Sequence, residues 1–311
     1  DEILAALPGR KETKIRGIEI FGHPANRAWA GQRAALNLAG MSKGDLSRGM
    51  FLTRSGTLHS SRVIDATVSL LSSSPASLKR ATPVRFHHGS AEIIGKAYPL
   101  EGEEIEPGQT GLIQIRLEEQ TVPIPGDRFI LRRYSPLVTI GGGMVLNGSS
   151  RLHRKKELQS LTDRLKNLRR ILSSSSADEA SRAILHFFTE EGGASGVSLN
   201  ELVSLTGLHE DYIREILPGS ELRLIEVQAA PIVAERQALG KLRSELEKAL
   251  KEHHEARPLS PGMAREELRE RLLKRSSPAY FNFLLGELEG EGLLELRGSA
   301  VALAGSRAEL Q

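Results

Sequence analysis

Arg33 is the one permanent cation in the run "AGQRAALNLAG", residues 30–40. A guanidinium cannot lose its proton in a protein. Among alanines and leucines it has two uses: it can snorkel to solvent along its stem, or it can hold an anion. Both readings stay open on the residues alone. A second cluster lies in "GDRFILRRYSP", residues 126–136, with Arg128, Arg132 and Arg133. In a strand, Arg128 and Arg132 share a face with Ile130 between them. Such a pair grips phosphates or forms a solvated barrel surface, and the sequence favours neither. A third cluster fills residues 151–172, where eight Arg and Lys face only Glu157 and Asp163. It includes Arg154, Lys155 and Lys156. A net charge of +6 there suits RNA through counterion release. The leucines at 158, 161, 165, 168 and 172 suit a linker helix packed by one face. The two roles are compatible.

Other chemistry is absent or weak. No phosphate loop of the form GxxxxGK[ST] occurs, so no nucleotide site of that type is expected. The run Gly141-Gly142-Gly143 leads into "MVLNG", a strand, and not into a helix N-terminus. A β-bulge or a tight barrel corner therefore fits it better than a phosphate cradle. His87 and His88 are adjacent in a strand and point to opposite faces. His253 and His254 diverge on a helix, and no third ligand stands at a metal-like spacing, so no metal is expected. No nucleophile elbow or zinc-protease signature appears, and no catalytic residue is assigned.

The elements that must position these residues fall into two halves. Residues 1–147 read as β. "KETKIRGIEIFG" (11–22) alternates as a half-buried strand does, "AWAGQRAALNLAG" reads as a further strand, and several short strands follow between Gly, Pro, Ser and Asn turns. Small barrels or sandwiches are implied. From residue 151 the period becomes helical. Capping boxes are predicted at Ser176 with Glu179 and at Ser198 with Glu201. Three helices and a two-stranded hairpin over 178–235 give the order of a winged helix. The order recurs over 236–311, where Ser260 with Pro261, and Ser277 with Pro278, are the expected helix starts.

The third helix of each winged helix is acidic. "HEDYIREIL" carries Glu210, Asp211 and Glu215 against Arg214, and "SPAYFNFLLGELEGEG" carries Glu287, Glu289 and Glu291 with no Lys or Arg. Acidic faces repel phosphate, so these modules are expected to be spacers or protein-contact units.

The whole chain of 311 residues has 39% hydrophobic and 26% charged residues, a net charge of +3 and no cysteine. That composition is globular and excludes disulfide scaffolds and thiolate metal sites. No apolar run is long enough for a membrane helix, so no membrane partner is expected. The first residues lack a signal-peptide layout, and a cytoplasmic monomer is the expectation.

"KIRGIEIFGHPANRAWAGQRAALNLAG" with "LSRGMFLTR" resembles the second domain of translational GTPases of the elongation factor Tu type. "GDRFILRRYSPLVTIGGGMVLN" resembles the closing strands of their third domain. Two β-barrels, a linker helix and tandem winged helices together are similar to the bacterial selenocysteine-specific elongation factors, the SelB family. The resemblance implies a multidomain chain. A second-domain-like barrel spans 1–57 and is incomplete at its N-terminal side. A third-domain-like barrel spans 58–148, a basic linker helix 149–177, and winged helices 178–235 and 236–311. It implies a GTP-dependent factor that delivers selenocysteinyl-tRNA to the ribosome at a recoded UGA, guided by a messenger RNA hairpin. This stretch is expected to lack the GTPase domain, with its GTP and magnesium, and the last winged helices that read the hairpin. No cofactor is therefore expected here, and the chain itself is not expected to be an enzyme. Arg33 matches the arginine of the family's "GQR" stretch near the aminoacyl pocket, where a fixed cation would favour a selenolate over a serine hydroxyl. Arg128 and Arg132 match third-domain positions facing the tRNA arm. Arg133, Arg154, Lys155 and Lys156 join them as RNA-binding candidates. His87 and His88 match a family "HH" segment. The alternative is a winged-helix DNA-binding regulator with a β-rich partner domain, which predicts salt-dependent duplex binding by residues 178–311.

Overall fold

A computed structural model describes residues 3–228 and 230–306. The chain packs as two units. One runs to Ala180 and takes in Val203–Gly207; the other takes in Ser181–Leu202 and resumes at Leu208.

The first unit opens with β1 (Leu4–Leu7), β2 (Lys11–Thr13), β3 (Ile15–Ile20), β4 (His23–Ala25), β5 (Ala34–Leu38) and β6 (Phe51–Arg54). These do not close a barrel. They form two three-stranded sheets, β2-β1-β6 and β4-β3-β5. The single strand expected over 11–22 breaks at Lys14. There the Lys14 carbonyl accepts from Ala39 N at 2.8 Å, and Thr13 Oγ1 donates to Ala39 O at 2.9 Å. The alternation in β3 is real, but no residue between Thr13 and Ile64 is buried. The expected strand over 28–40 also shortens: residues 28–33 form a loop, and Arg33 stands just before β5 rather than in it.

Next come β7 (Ser61–Leu70), β8 (Leu78–Lys79), β9 (Thr82–His88), β10 (Ala91–Pro99), β11 (Glu104–Ile105), β12 (Thr110–Thr121), β13 (Arg128–Arg133) and β14 (Thr139–Asn147). Six of them close a barrel in the order β10-β12-β7-β14-β13-β9, and β8 with β11 forms a ribbon. Period-two alternation fills the barrel. Ile64, Ala66, Val68 and Leu70 point inward from β7 and meet Phe86, Ile113, Ile115, Leu131 and Val145. The three glycines of β14 permit close approach of strands. A Cβ on Gly143 would stand 1.8 Å from the Thr67 carbonyl, one on Gly141 2.4 Å from Ser69 O, and one on Gly142 2.8 Å from Phe129 O. A register shift beside Leu131 supplies the bulge.

Asp65 is fully buried on the outer side of β7. Its Oδ2 accepts from Ser150 Oγ at 2.6 Å and meets His153 Nε2 at 2.8 Å, while Oδ1 accepts from Gln114 Nε2 at 3.0 Å. The same Gln114 amide donates to Arg151 O at 2.9 Å. Ser150 also reaches His153 Nε2, at 3.1 Å. Serine and carboxylate thus share one ring nitrogen, so this is a fastening and not a nucleophile relay. It leads into a 3-10 turn (Lys155–Glu157) and α1 (Leu158–Ser174). In α1, Leu161, Leu165 and Leu168 are buried and Leu158 and Leu172 half-buried, on one helical face.

The remaining elements are α2 (Ala177–Glu190), β15 (Val197–Ser198), α3 (Leu199–Thr206), α4 (Glu210–Ile216), β16 (Leu222–Ile225), β17 (Ile232–Glu235), α5 (Arg236–Ala256), β18 (Met263–Ala264), α6 (Arg265–Leu272), α7 (Pro278–Gly290), β19 (Leu294–Arg297) and β20 (Ala300–Leu303). The sheets β15-β17-β16 and β18-β20-β19 are the same motif twice. Glu179 N bonds Ser176 Oγ, Glu201 N bonds Ser198 Oγ, and Tyr280 N bonds Ser277 Oγ. Ser260, however, does not cap a helix. Gly262 turns the chain at φ +145 into β18, and Ser260 Oγ meets His253 Nε2 at 3.0 Å. In the second unit both winged helices share one core, in which Ile225, Val227 and Ala234 of the first join Leu246, Tyr280 and Leu285 of the second.

Asp65→Ala leaves Gln114, Ser150 and His153 without their buried acceptor. We expect a loss of about 3 kcal/mol in urea unfolding. His254 Nε2 accepts from Leu303 N at 3.3 Å, which requires the neutral ring. Burial, then His253 and Arg297, hold its pKa below the ordinary 6.5. The unfolded chain therefore binds the proton more readily, and this contribution is whole above about pH 6.5 and declines as pH falls below it. His254→Gln should flatten that acid-side decline in a series of melts.

Candidate nucleic-acid interface

Strand register sorts the cations on the barrel's outer wall. Along β13, Phe129 and Leu131 are buried, whereas Arg128, Ile130 and Arg132 face outward, as the alternation required. Arg132 stands opposite Arg85 of β9, and Ile130 opposite His87. Glu92 of β10 completes the row beyond His87. Arg85 Nη1 donates to Glu92 Oε1 at 2.7 Å. That bond, aided by the charges of His87 and Arg132, holds the Glu92 carboxyl below its usual range. Arg85 also lies over the Tyr134 ring at 5.3 Å, and Arg132 Nη2 donates to Leu137 O at 3.2 Å. Ile130, Tyr134, Leu137 and Val138 are exposed around them. Arg133 points away from Arg132, on the register position of Val84.

Around the barrel, cations gather ahead of the exposed Glu118 of β12. Lys96 of β10 stands opposite Arg116 of β12. Arg116 donates from Nε to Gln114 Oε1 at 3.0 Å and stacks 3.9 Å over Tyr98, which Arg80 covers at 5.6 Å. Gln114 is the residue that holds the Arg151 carbonyl, so the linker starts beside Arg116. Glu157 then folds the linker back, accepting from Arg151 Nη1 at 2.9 Å and from Arg154 N at 3.3 Å. Those bonds lower the Glu157 pKa, the Arg154 amide first. Arg154, Lys155 and Lys156 are exposed on this turn. Arg80, Lys96 and Arg116 were not singled out by spacing. Only the pairing of β10 with β12 brings them together.

The two histidines of "HH" diverge as expected. His87 faces outward. His88 is buried, with Nε2 2.8 Å from Asp127 Oδ2 and its ring stacked on Phe51 of β6 at 5.4 Å. Gly49, at φ +94, donates to Ser90 Oγ beside them. His88 thus packs the first β module against the barrel. Arg33 is exposed at the end of the β4-β3-β5 sheet, one step beyond the Ile20–Ala34 pair and next to the tight turn of Phe21 and Gly22. Phe21 there is 86% exposed at φ +52.

Most acids of the third helices are engaged within the protein. Arg214 pairs with Glu210 and Glu226, Glu287 with Arg223, Glu291 with Arg243, and Glu289 accepts from Leu296 N.

Residues 64–151 match the family described as "Selenocysteine-specific elongation factor, beta-barrel domain", and residues 248–303 match "Elongation factor SelB, winged helix". The selenocysteine-specific elongation factor of Desulfomicrobium baculatum is 31% identical over 322 residues, covering all of this chain and 49% of that protein. The chain belongs to the SelB family. An elongation factor Tu of Streptomyces avermitilis is 31% identical over 140 residues, 43% of this chain and 35% of its own length. A crystal structure of a bacterial selenocysteine-specific elongation factor shares the SelB-type fold, with a TM-score of 0.67 at 18% identity over 97% of this chain and 44% of that one. The chain thus spans about half the length of the SelB relative it matches. The regulator reading, in which the winged helices grip DNA, is not favoured by these likenesses.

Stability separates fastening from free cations. Ala at Arg154, Lys155 or Lys156 should shift urea unfolding by no more than about 0.5 kcal/mol each. Arg116→Ala, which gives up Gln114 and Tyr98, should cost about 1–2 kcal/mol.

Proposed function

We propose that this chain is the tRNA- and ribosome-directed part of a factor that delivers selenocysteinyl-tRNA under the guidance of a messenger RNA hairpin. The observation that carries the reading is Arg33, an exposed cation at a sheet end within a chain of this family. A selenol is largely ionised at neutral pH and a serine hydroxyl is not. A fixed guanidinium therefore attracts the selenocysteinyl ester more than its seryl precursor. Arg128, Arg132 and Arg133 would meet the tRNA from the barrel, and Arg154, Lys155 and Lys156 from the linker. Hairpin reading is assigned away from α4 and α7, which are acidic and whose Glu210 and Glu287 are already paired. GTP hydrolysis and its magnesium are assigned to residues other than those of this chain, which offers no phosphate loop.

Arg33→Ala in the full-length factor tests this. Stability should be unchanged, and the preference for selenocysteinyl-tRNA over seryl-tRNA should fall at least about tenfold, about 1.4 kcal/mol. An unchanged preference in equilibrium binding would refute the role.

A further inference from the structure

The barrel's outer wall carries two chemically different cation groups. Around Arg85 and Arg132 the cations are interleaved with exposed Ile130, Tyr134, Leu137 and Val138. Over β10 and β12 no large apolar side chain is exposed. We propose that this second group, Arg80, Lys96 and Arg116 on the barrel with Arg154, Lys155 and Lys156 on the linker, is a continuous phosphate track for double-helical RNA.

Four observations carry it. Lys96 and Arg116 are directly opposed across two antiparallel strands. Like charges in that position are destabilising unless an anion lies over them. None of the six has an ion-pair partner among the described residues, although most acids of the second unit's third helices are paired. Arg80 and Arg116 both lie over the one Tyr98 ring, which gathers two guanidiniums at a single side chain. A guanidinium so held is ready for a phosphate and loses little freedom on binding it. The Gln114 amide finally bridges Asp65 and the Arg151 carbonyl, so the linker cations are fastened to the wall and do not drift from it.

The occupant follows from what the track lacks. Its one aromatic ring is already covered by arginine, so no base can stack on it as in single-strand grooves. Leu152, on the linker, is its one large exposed apolar side chain among the described residues, too little for the core of a protein interface. Charge with so little stacking or apolar contact suits the backbone of a duplex, read independently of sequence. The inference rests on the RNA-delivery reading only for the choice of polyanion, and it does not use Arg33.

The test uses the 311-residue chain and a blunt RNA duplex of about 16 base pairs without any aminoacyl group. Binding is followed by anisotropy from about 50 to about 200 mM salt. We expect affinity to fall steeply with salt. The triple variant Lys96→Ala, Lys155→Ala, Lys156→Ala should bind at least about tenfold more weakly and lose nearly 3 from the log–log salt slope, about 0.9 per cation. All three lysines are exposed and unpaired among the described residues, so circular dichroism should match the parent and melting should not fall below it, Lys96→Ala relieving the repulsion with Arg116. Arg33→Ala should leave duplex binding unchanged. Parent-like affinity and slope in the triple variant would overturn the track, as would no duplex binding at the lowest salt. Displacement of the duplex by polyglutamate of matched charge at equal concentration would assign the surface to an acidic protein instead.

Discussion

The carboxylate of Asp65 joins the barrel to its linker, and much of the first unit's order depends on it. It sits on the outer side of β7 with no solvent exposure. An isolated carboxylate there would be costly to desolvate. Three partners offset that cost from two places: Gln114 from β12, Ser150 and His153 from the segment after β14. Because Gln114 also holds Arg151 O, one carboxylate fixes the direction in which the chain leaves the barrel. The leucine stripe of α1 then has a defined wall to pack on. A hydrophobic contact alone would allow sliding, whereas short directional bonds specify one register.

That fastening explains how a strongly basic segment is tolerated. The leucines of α1 bury one face, and the cations are left on the other. Lys166 is neutralised by Glu101 next to the barrel, and Arg151 by Glu157. Arg154, Lys155 and Lys156 face solvent. Two halves of one barrel wall thus acquire different chemistry from the same alternation. On β13 the outward positions mix Arg with exposed Ile, and toward the linker β10 and β12 offer Lys96, Arg116 and Glu118 with a tyrosine covered by guanidiniums.

Much of this was legible in the sequence where local periodicity decides the outcome. The outward set Arg128, Ile130 and Arg132, the divergence of His87 from His88, the leucine face of α1 and the Ser-Glu caps all follow from spacing. Long-range pairing was not legible. Nothing local brings Lys96 to Arg116, or Asp65 to His153 across 88 positions. Nothing local marks Asp65 for burial, which depends on chain that returns much later. Arg33 was placed in a strand because small apolar residues flank it. The Gly31 turn at φ +86, with Trp29 N donating to Gln32 Oε1, makes that stretch a loop instead. Ser260 was taken for a cap because Ser-Pro so often starts a helix, and the demand of Gly262 for a positive φ beside Val301 prevailed.

The winged-helix repeat had a sequence mark after all, and it is steric. "GVSLNEL" begins at Gly196 and "GMAREEL" at Gly262. Both glycines have positive φ, and a Cβ on either would strike the facing wing strand: Gly196 at 2.5 Å from Ile232, Gly262 at 2.4 Å from Val301 O. Each is followed by two residues that pair with the wing, then by a helix whose Leu202 or Leu268 is fully buried. Close approach selects glycine, the short strand aims the helix, and the leucine closes the core. The helices that follow have no such constraint on their outer faces. There the acids of α4 and α7 turn to Arg214, Arg223 and Arg243 within the same unit. A helix whose charges are satisfied at home, on a module cored together with its neighbour, is built to hold a shape. Arg80, Lys96 and Arg116 on the barrel wall and Arg154, Lys155 and Lys156 on the linker lack ion-pair partners among the described residues, and the physical case for duplex contact rests there.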